Sequence, residues 1–293
     1  MPIKIPNRLP ATDVLLKENI FVMTETRAIT QDIRPLHILM LNLMPEKAVT
    51  ELDMARTLQA TQRNVQIIPV KLKGQKYKTT PQAHMEAFYL DIEDLMETTF
   101  SRLIVTGAPL EQMPFEEVRY WEALCRVMDW ADKKVARTLY VCWGAQAGLY
   151  HFYHIDKHPL SEKMFGIFPQ RVVKPESPLM KNLAPRFPMP NSRHTEVRLA
   201  DMEQAFNHCG LELLAESEES GVGVLASADL RRTFIVGHLE YEPYTLHREY
   251  HRDLNKNLPI HAPEHYYNET GDVIYAWEAA SKHFYNNWLN WEQ

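Results

Sequence analysis

The sequence predicts an α/β fold, a mostly parallel sheet flanked by helices, on three observations. Short, nearly continuous apolar runs recur at 36–44, 64–72, 102–110 and 137–141. Segments of helical period lie between them, so strand and helix alternate as βαβ units do. Two of the apolar runs end in Gly107-Ala108-Pro109 and Cys142-Trp143-Gly144, at the carboxyl ends of strands, where open α/β sheets place their ligands.

Residues 1–35 read as an extended leader punctuated by Pro2, Pro6, Pro10 and Pro35. LHILMLNLM (36–44) has the unbroken hydrophobicity of a strand covered on both faces. KAVTELDMARTLQAT (47–61) sets Val49, Leu52, Ala55 and Leu58 along one face of a helix. NVQIIPVKL (64–72) is a strand made edge-like by Pro69. The stretch 83–97 has helical period, and RLIVTGAPL (102–110) is a strand running into a turn. A helix over 115–132 opens with acids, which suit the positive end of its dipole. RTLYVCWGAQAGLY (137–150) is strand, sharp turn and helix.

The second half is less regular. Pro175, Pro178, Pro185, Pro188 and Pro190 make 173–192 a Pro-rich loop, of the length that often covers a site. Residues 221–241 read as two strands about a turn near Ala228-Asp229, and helices are expected at 243–256 and 273–290. With no repeat, low-complexity tract or linker, the 293 residues are taken as a single domain carrying the leader and the Pro-rich insertion.

Composition narrows the function. With 45% hydrophobic and 24% charged residues, the chain is of ordinary globular type. A net charge of −6 without a clustered basic face argues against nucleic acid as a partner. No run of about 18 apolar residues is present to span a membrane, and no signal peptide opens the chain. Three cysteines at irregular spacing suit neither a disulfide framework nor a zinc site, so free thiols and a cytoplasmic location are expected.

Cys142 sits where strand turns into helix, the position that presents a nucleophile above an α/β sheet. The helix N-terminus offers N–H groups and positive dipole, which stabilise a thiolate and can serve an oxyanion. From position alone, a buried core cysteine is the plainer reading of Cys142. His238 and Glu240 follow an apolar strand and lie two apart, so in an extended chain they project together, base and orienting acid. His247 and His251 are four apart, but Arg248 stands where a zinc protease has its glutamate. His151, His154 and His158 lack an acidic or thiol companion in the sequence, so no metal is expected. No phosphate-binding glycine loop is present.

Tyr140-Val141-Cys142-Trp143-Gly144-Ala145-Gln146 with His238-Leu239-Glu240 resembles the Cys and His-x-Glu constellation of class I glutamine amidotransferases. The chain is closer to the homoserine O-acyltransferases of methionine biosynthesis, which share that flavodoxin-like fold. Asn42-Leu43-Met44-Pro45, Thr106-Gly107-Ala108-Pro109-Leu110, the block from Cys142 to Gly148, Pro190-Asn191-Ser192-Arg193 and Gly237-His238-Leu239-Glu240-Tyr241 resemble that family's blocks in the same order. Two departures stand out: Leu239 where proline is frequent, and Tyr140 where amidotransferases have glycine.

The resemblance implies ping-pong transfer of an acyl group from acyl-CoA to L-homoserine, with Cys142 as nucleophile, His238 as base and Glu240 as its partner. No bound cofactor is implied; acetyl-CoA is a co-substrate. The Trp143 N–H is expected to bind the oxyanion, with Gly107 and Ala108 as a second source. Lys47 is a candidate for the same role or for a CoA phosphate. Lys163, Ser192 and Arg252 match substrate positions, Arg252 suiting a carboxylate. Glu111 is expected to select the donor, since a buried carboxylate repels the terminal carboxylate of succinyl and tolerates acetyl. The resemblance also implies a homodimer. The competing readings are a homoserine O-succinyltransferase, a glutamine amidotransferase-like hydrolase, and a non-catalytic binding protein on the same sheet.

Overall fold

Alternating side chains on the central strands divide the apolar residues between two cores. Ile38, Met40, Ile104, Leu139 and Val141 face one cluster, whereas Leu39, Leu41, Leu103, Val105 and Tyr140 face the other. A strand buried on both faces needs apolar residues at every position, which is why these segments read as continuous runs. The protein is described by a computed structural model covering residues 3–24, 35–61, 63–75 and 77–290.

The strands are β1 Ile3–Ile5, β2 Val22–Thr24, β3 Leu36–Leu41, β4 Val65–Lys71, β5 Leu90–Asp91, β6 Phe100–Val105, β7 Val135–Val141, β8 His158–Val172, β9 Arg186–Glu196, β10 Leu211–Ser217, β11 Gly221–Ser227 and β12 Arg232–Ile235. Most belong to one sheet in the order β2-β1-β4-β3-β6-β7-β12-β11-β10-β8-β9, with β5 added beside β4. From β2 to β12 the neighbours are parallel. From β12 to β9 they are antiparallel.

The helices are α1 Ala11–Lys17, α2 Lys47–Gln59, α3 Gln82–Phe88, α4 Trp121–Lys134, α5 Trp143–Tyr153, α6 Glu203–His208, α7 Thr245–Asn255 and α8 Glu278–Asn290. Met54, Ala55 and Leu58 of α2 join Phe284, Tyr285, Trp288 and Leu289 of α8 on one face of the sheet. Leu124, Val127, Met128 and Ala131 of α4 join Ala145, Ala147 and Leu149 of α5 on the other. A smaller cluster of Phe165, Ile167, Leu246, Tyr266 and Trp277 seats α7 against β8. Among the described residues, no helix is long and apolar enough to cross a membrane.

Four sequence expectations are corrected. The described part of the leader is not simply extended: it forms β1, α1 and β2 and lengthens the sheet at its edge. Residues 1, 2 and 25–34 of that leader lie outside the described residues. The Pro-rich stretch is a loop only in its first part, because β9 takes in Pro188 and Pro190. Those prolines pair opposite Pro169 and Ile167 of β8. Strand β9 ends the sheet order, where one flank needs no ladder, and that is where proline is tolerated. Pro69 sits within β4 across from Met40, while the far flank of β4 is paired only at Val65, Gln66, Val70 and Lys71. The helical periods at 83–97 and 115–132 resolve into shorter pieces, α3 and α4, each joined to a short 3-10 turn.

The packing of α5 on the sheet depends on glycine. A Cβ on Gly144 would stand 2.6 Å from the Thr106 carbonyl oxygen and 2.9 Å from that of Val105, backbone atoms that cannot step aside. Gly144→Ala is expected to lower stability by about 1–3 kcal/mol. Denaturant unfolding checks this, and an unchanged midpoint would mean that the helix is not seated so closely.

Candidate functional site

Strands β3, β6, β7 and β12 are adjacent and parallel, so their carboxyl ends meet on one rim. The segments leaving that rim are Asn42–Lys47, Thr106–Glu111, Cys142 and Gly237–Glu240. Sequence positions separated by up to two hundred residues are thereby brought together by strand order alone.

Cys142 is the sharp turn between β7 and α5. Its backbone is at φ 52 and ψ −118, a region that an L-residue with a side chain rarely occupies. Its N–H donates to the Ile235 carbonyl at 2.7 Å, and its carbonyl accepts from the Gln146 N–H at 3.1 Å. Gly107 lies directly beside it: a Cβ there would be 3.3 Å from Cys142 Cβ and 3.7 Å from Sγ. The Gly107-Ala108 segment therefore flanks the sulfur. Trp143 is the first residue of α5, where N–H groups have no acceptor within the helix, and its buried ring leans on Phe115 and Tyr120.

His238 is 3% exposed and Glu240 7%. A carboxylate only accepts, so His238 Nδ1–H donates to Glu240 Oε1, at 2.7 Å. The other ring nitrogen is left for the Cys142 thiol, which acts electrostatically on the imidazole. The ring stacks on Tyr241 at 4.0 Å between centroids, and the His238 N–H donates to the Pro190 carbonyl at 2.8 Å. Burial opposes charge on His238, but Cys142 and Glu240 outweigh it and hold the imidazole well above its ordinary range.

Lys47 is buried, with Nζ donating to the carbonyls of Asn42 at 2.6 Å and Met44 at 2.7 Å. Burial pushes its pKa down to about 8, against the pull of Glu51. In this state its ammonium ties the rim segment 42–47 together and stacks near Tyr77.

Lys163 of β8, Ser192 of β9 and Arg252 of α7 converge on one acid, Glu249. Lys163 Nζ lies 2.7 Å, Ser192 Oγ 2.8 Å and Arg252 Nη2 3.4 Å from Glu249 Oε1. Arg252 also forks onto Asp253 at 2.7 and 2.9 Å. Sequence reasoning missed Glu249; its only local signal is the spacing of three residues to Arg252 on one helix. Glu111, partly buried, lines a cavity of about 920 Å³ together with Lys157, Lys163, His194, Ile260 and His261. Cys142, His238 and Glu240 are outside that lining, and Glu111 is within electrostatic reach of both His238 and Glu249. Burial raises the Glu111 carboxyl above its ordinary range, with His194 and His238 pulling the other way.

Of the other histidines, His151 pairs with Asp129 and His158 with Asp201, His247 of α7 sits against His251 and Tyr267, and the exposed His265 lies with Glu219 and Glu264.

This sheet, which carries a cysteine on the turn after β7 and a His-x-Glu pair just beyond β12, has the fold of the class I glutamine amidotransferases. A glutamine amidotransferase from Thermotoga maritima superposes with a TM-score of 0.58 at 12% identity, over 88% of this chain and 97% of its own. A glutamine amido transferase from Methylobacillus flagellatus gives 0.58 and 12% over 88% and 95%. At that identity the likeness is one of fold. The chain belongs to the family described as homoserine O-succinyltransferase, whose model matches residues 2–293. Similar curated proteins are the homoserine O-acetyltransferases of Brevibacillus brevis and Acetivibrio thermocellus, each 46% identical over 99% of this chain and 95% of their own length.

If the two acids of the cluster hold the imidazole's charge, removing either lowers it. In Glu240→Gln and in Cys142→Ser, His238 is expected to titrate below the parent. Nitrogen NMR of the labelled imidazole reads this; an unmoved titration would show that neither group acts on the ring.

Proposed function

We propose that this protein is a homoserine O-acetyltransferase working through an acetyl-cysteine intermediate. The observation that carries the reading is the placement of Cys142, His238 and Glu240 on one rim with Glu111 lining the neighbouring cavity. Full-length relatives bearing that activity support it.

Cys142 Sγ attacks the thioester carbon of acetyl-CoA. The carbonyl oxygen becomes an oxyanion, met by the Trp143 N–H and by donors of the Gly107-Ala108 segment. The tetrahedral adduct collapses, and the CoA thiolate leaves with the proton of the His238 imidazolium. Homoserine then enters; its hydroxyl oxygen attacks the acetyl-cysteine while His238 takes the hydroxyl proton. Collapse releases O-acetylhomoserine and returns the sulfur. Glu240 holds the imidazole oriented and supports its charge in both halves. Every acid, base and nucleophile here is a side chain, so acetyl-CoA serves as co-substrate and no resident cofactor is required.

For homoserine, Arg252 and Lys163 offer cations to the carboxylate, and Ser192 a hydroxyl. Glu249, which these three now occupy, is placed to receive the ammonium once the carboxylate draws the cations away. Lys47 acts in this reading by fixing the rim segment beside the sulfur. The free thiols support a cytoplasmic setting, and the family resemblance supports a homodimer.

The family's printed name points to succinyl as the competing acyl group, and Glu111 decides between them. An ionised Glu111 repels the succinyl carboxylate and leaves acetyl untouched. Its raised pKa means that it takes up a proton at higher pH than an ordinary glutamate. Discrimination against succinyl-CoA is therefore expected to weaken as pH falls through that range. CoA release with homoserine is measured for both donors. Acetyl-CoA is expected to be preferred, and Glu111→Gly to shift the preference toward succinyl by about tenfold or more, some 1.4 kcal/mol. An unchanged preference in the variant sinks the role of Glu111; release from neither donor sinks the acyltransferase reading.

A further inference from the structure

Arg193 is a large charged side chain with 2% exposure, and its guanidinium makes no ion pair among the described residues. Its acceptors are neutral: Nε donates to Asn191 Oδ1 at 3.1 Å, Nη1 to the Thr195 carbonyl at 2.6 Å, and Nη2 to the Ser220 carbonyl. Burying a guanidinium without a carboxylate is costly, so the position needs a reason beyond packing.

The hydrogen bonds around it supply one. The Thr195 carbonyl that accepts from Arg193 also accepts from Gln146 Nε2 at 3.3 Å, and Thr195 Oγ1 donates to Gln146 Oε1 at 2.9 Å. Gln146 is the residue whose N–H closes the first turn on the Cys142 carbonyl. At the other end of the same strand segment, Pro190 holds the His238 N–H. Arg193 thus clamps the stretch of β9 that touches the nucleophile helix on one side and the base on the other.

We propose that Arg193 is an electrostatic positioning residue, whose unneutralised charge, fixed between the α5 N-terminus and the His238 segment, stabilises negative charge on Cys142 Sγ and on the oxyanion formed beside it. The charged groups that act on Arg193 are Cys142 first, then Glu196 and Glu111, while burial alone pulls its pKa down. Cys142 also acts electrostatically on His238 and Tyr241. His238 and Arg193 are thus two cations coupled to Cys142. His238 moves protons during turnover; Arg193 keeps its charge throughout.

The inference rests on Cys142 being the nucleophile, and the test separates the two. In the full chain with Cys125 and Cys209 replaced by Ser, alkylation of Cys142 by iodoacetamide is followed against pH, without any acyl donor. Arg193→Gln keeps two donors and loses the charge; Arg193→Lys keeps the charge and loses the fork. The alkylation midpoint is expected to rise by about one pH unit in Arg193→Gln, a tenfold slower reaction on the acid limb. In Arg193→Lys it is expected to stay with the parent although kcat falls. Circular dichroism melting verifies the fold of each. Coincident midpoints for parent and Arg193→Gln overturn the proposal. So does a midpoint in Arg193→Lys displaced upward, which decides the matter even if Arg193→Gln does not fold. Full turnover in Cys142→Ser would instead remove the nucleophile on which the inference stands.

Discussion

The backbone of Cys142 is the constraint on which the rest of the site depends. Holding a residue with a side chain at positive φ costs on the order of 1–3 kcal/mol, and such a conformation persists only where its surroundings over-determine it. Here they do so from three directions. Strand β12 fixes the N–H through Ile235, the first turn of α5 fixes the carbonyl through Gln146, and the end of β6 closes against the turn. Gly144 admits the Thr106 carbonyl, and Gly148 admits the Phe234 ring, at distances that no Cβ would allow. The strain is thus held by the parallel register of β6, β7 and β12, and that same register brings His238 to the sulfur.

A second constraint is electrical. The rim gathers the buried cations His238 and Arg193 and the buried acid Glu240. Behind Glu240, burial together with the charge of Glu242 pushes Asp53 up to about 8, so that Asp53 is largely protonated near neutrality and leaves Glu240 as the acid that supports the ring. Glu240 and Cys142 together favour a proton on the imidazole. One oxygen of Glu240 has no partner among the described residues, so its whole hydrogen-bonding capacity toward the site is spent on His238 Nδ1. A carboxylate so placed fixes one tautomer, the one that directs the remaining nitrogen at the thiol.

How far the sequence reveals this follows from the range of the interactions. The central strands are legible because burial on both faces writes itself locally, residue by residue, as in 36–41 and 102–105. The turn at Cys142 is legible because a strand, a sulfur and small residues follow in immediate succession. Pro188 and Pro190 mislead, since proline signals a loop unless the strand is known to be at an edge, and edges are a property of the whole sheet. The residues at 3–24 mislead for the same reason: three-residue strands carry no period, and only their place beside β4 makes them sheet. Glu249 and Arg193 are invisible in sequence because each acquires meaning from partners on other segments: Lys163 and Ser192 for one, Gln146 and Ser220 for the other.

The same fold serves hydrolysis of an amide and transfer of an acyl group, so the difference must lie outside the nucleophile turn. Tyr140 bears on this. It is fully buried and stacks on Phe234 at 5.1 Å, filling by an aromatic ring the place beneath the turn where amidotransferases have glycine. The turn is therefore supported by packing from below rather than by backbone freedom. What lies above it is built from the hairpin of β8 and β9 and from α7, elements that supply Lys163, Ser192, Glu249 and Arg252. A hydrolase needs only to admit water to its acyl-cysteine. A transferase must exclude water and present a hydroxyl, and that requires groups that grip the two charged ends of an amino acid while leaving its hydroxyl free. The cluster around Glu249 has both signs of charge within hydrogen-bonding distance of one another. An amino acid carrying a carboxylate and an ammonium can replace those internal pairs one for one, without leaving a buried charge unmet. The proposed roles thus divide by place: acceptor choice to the hairpin and α7, donor choice to Glu111, and the chemistry to the strained turn beneath them.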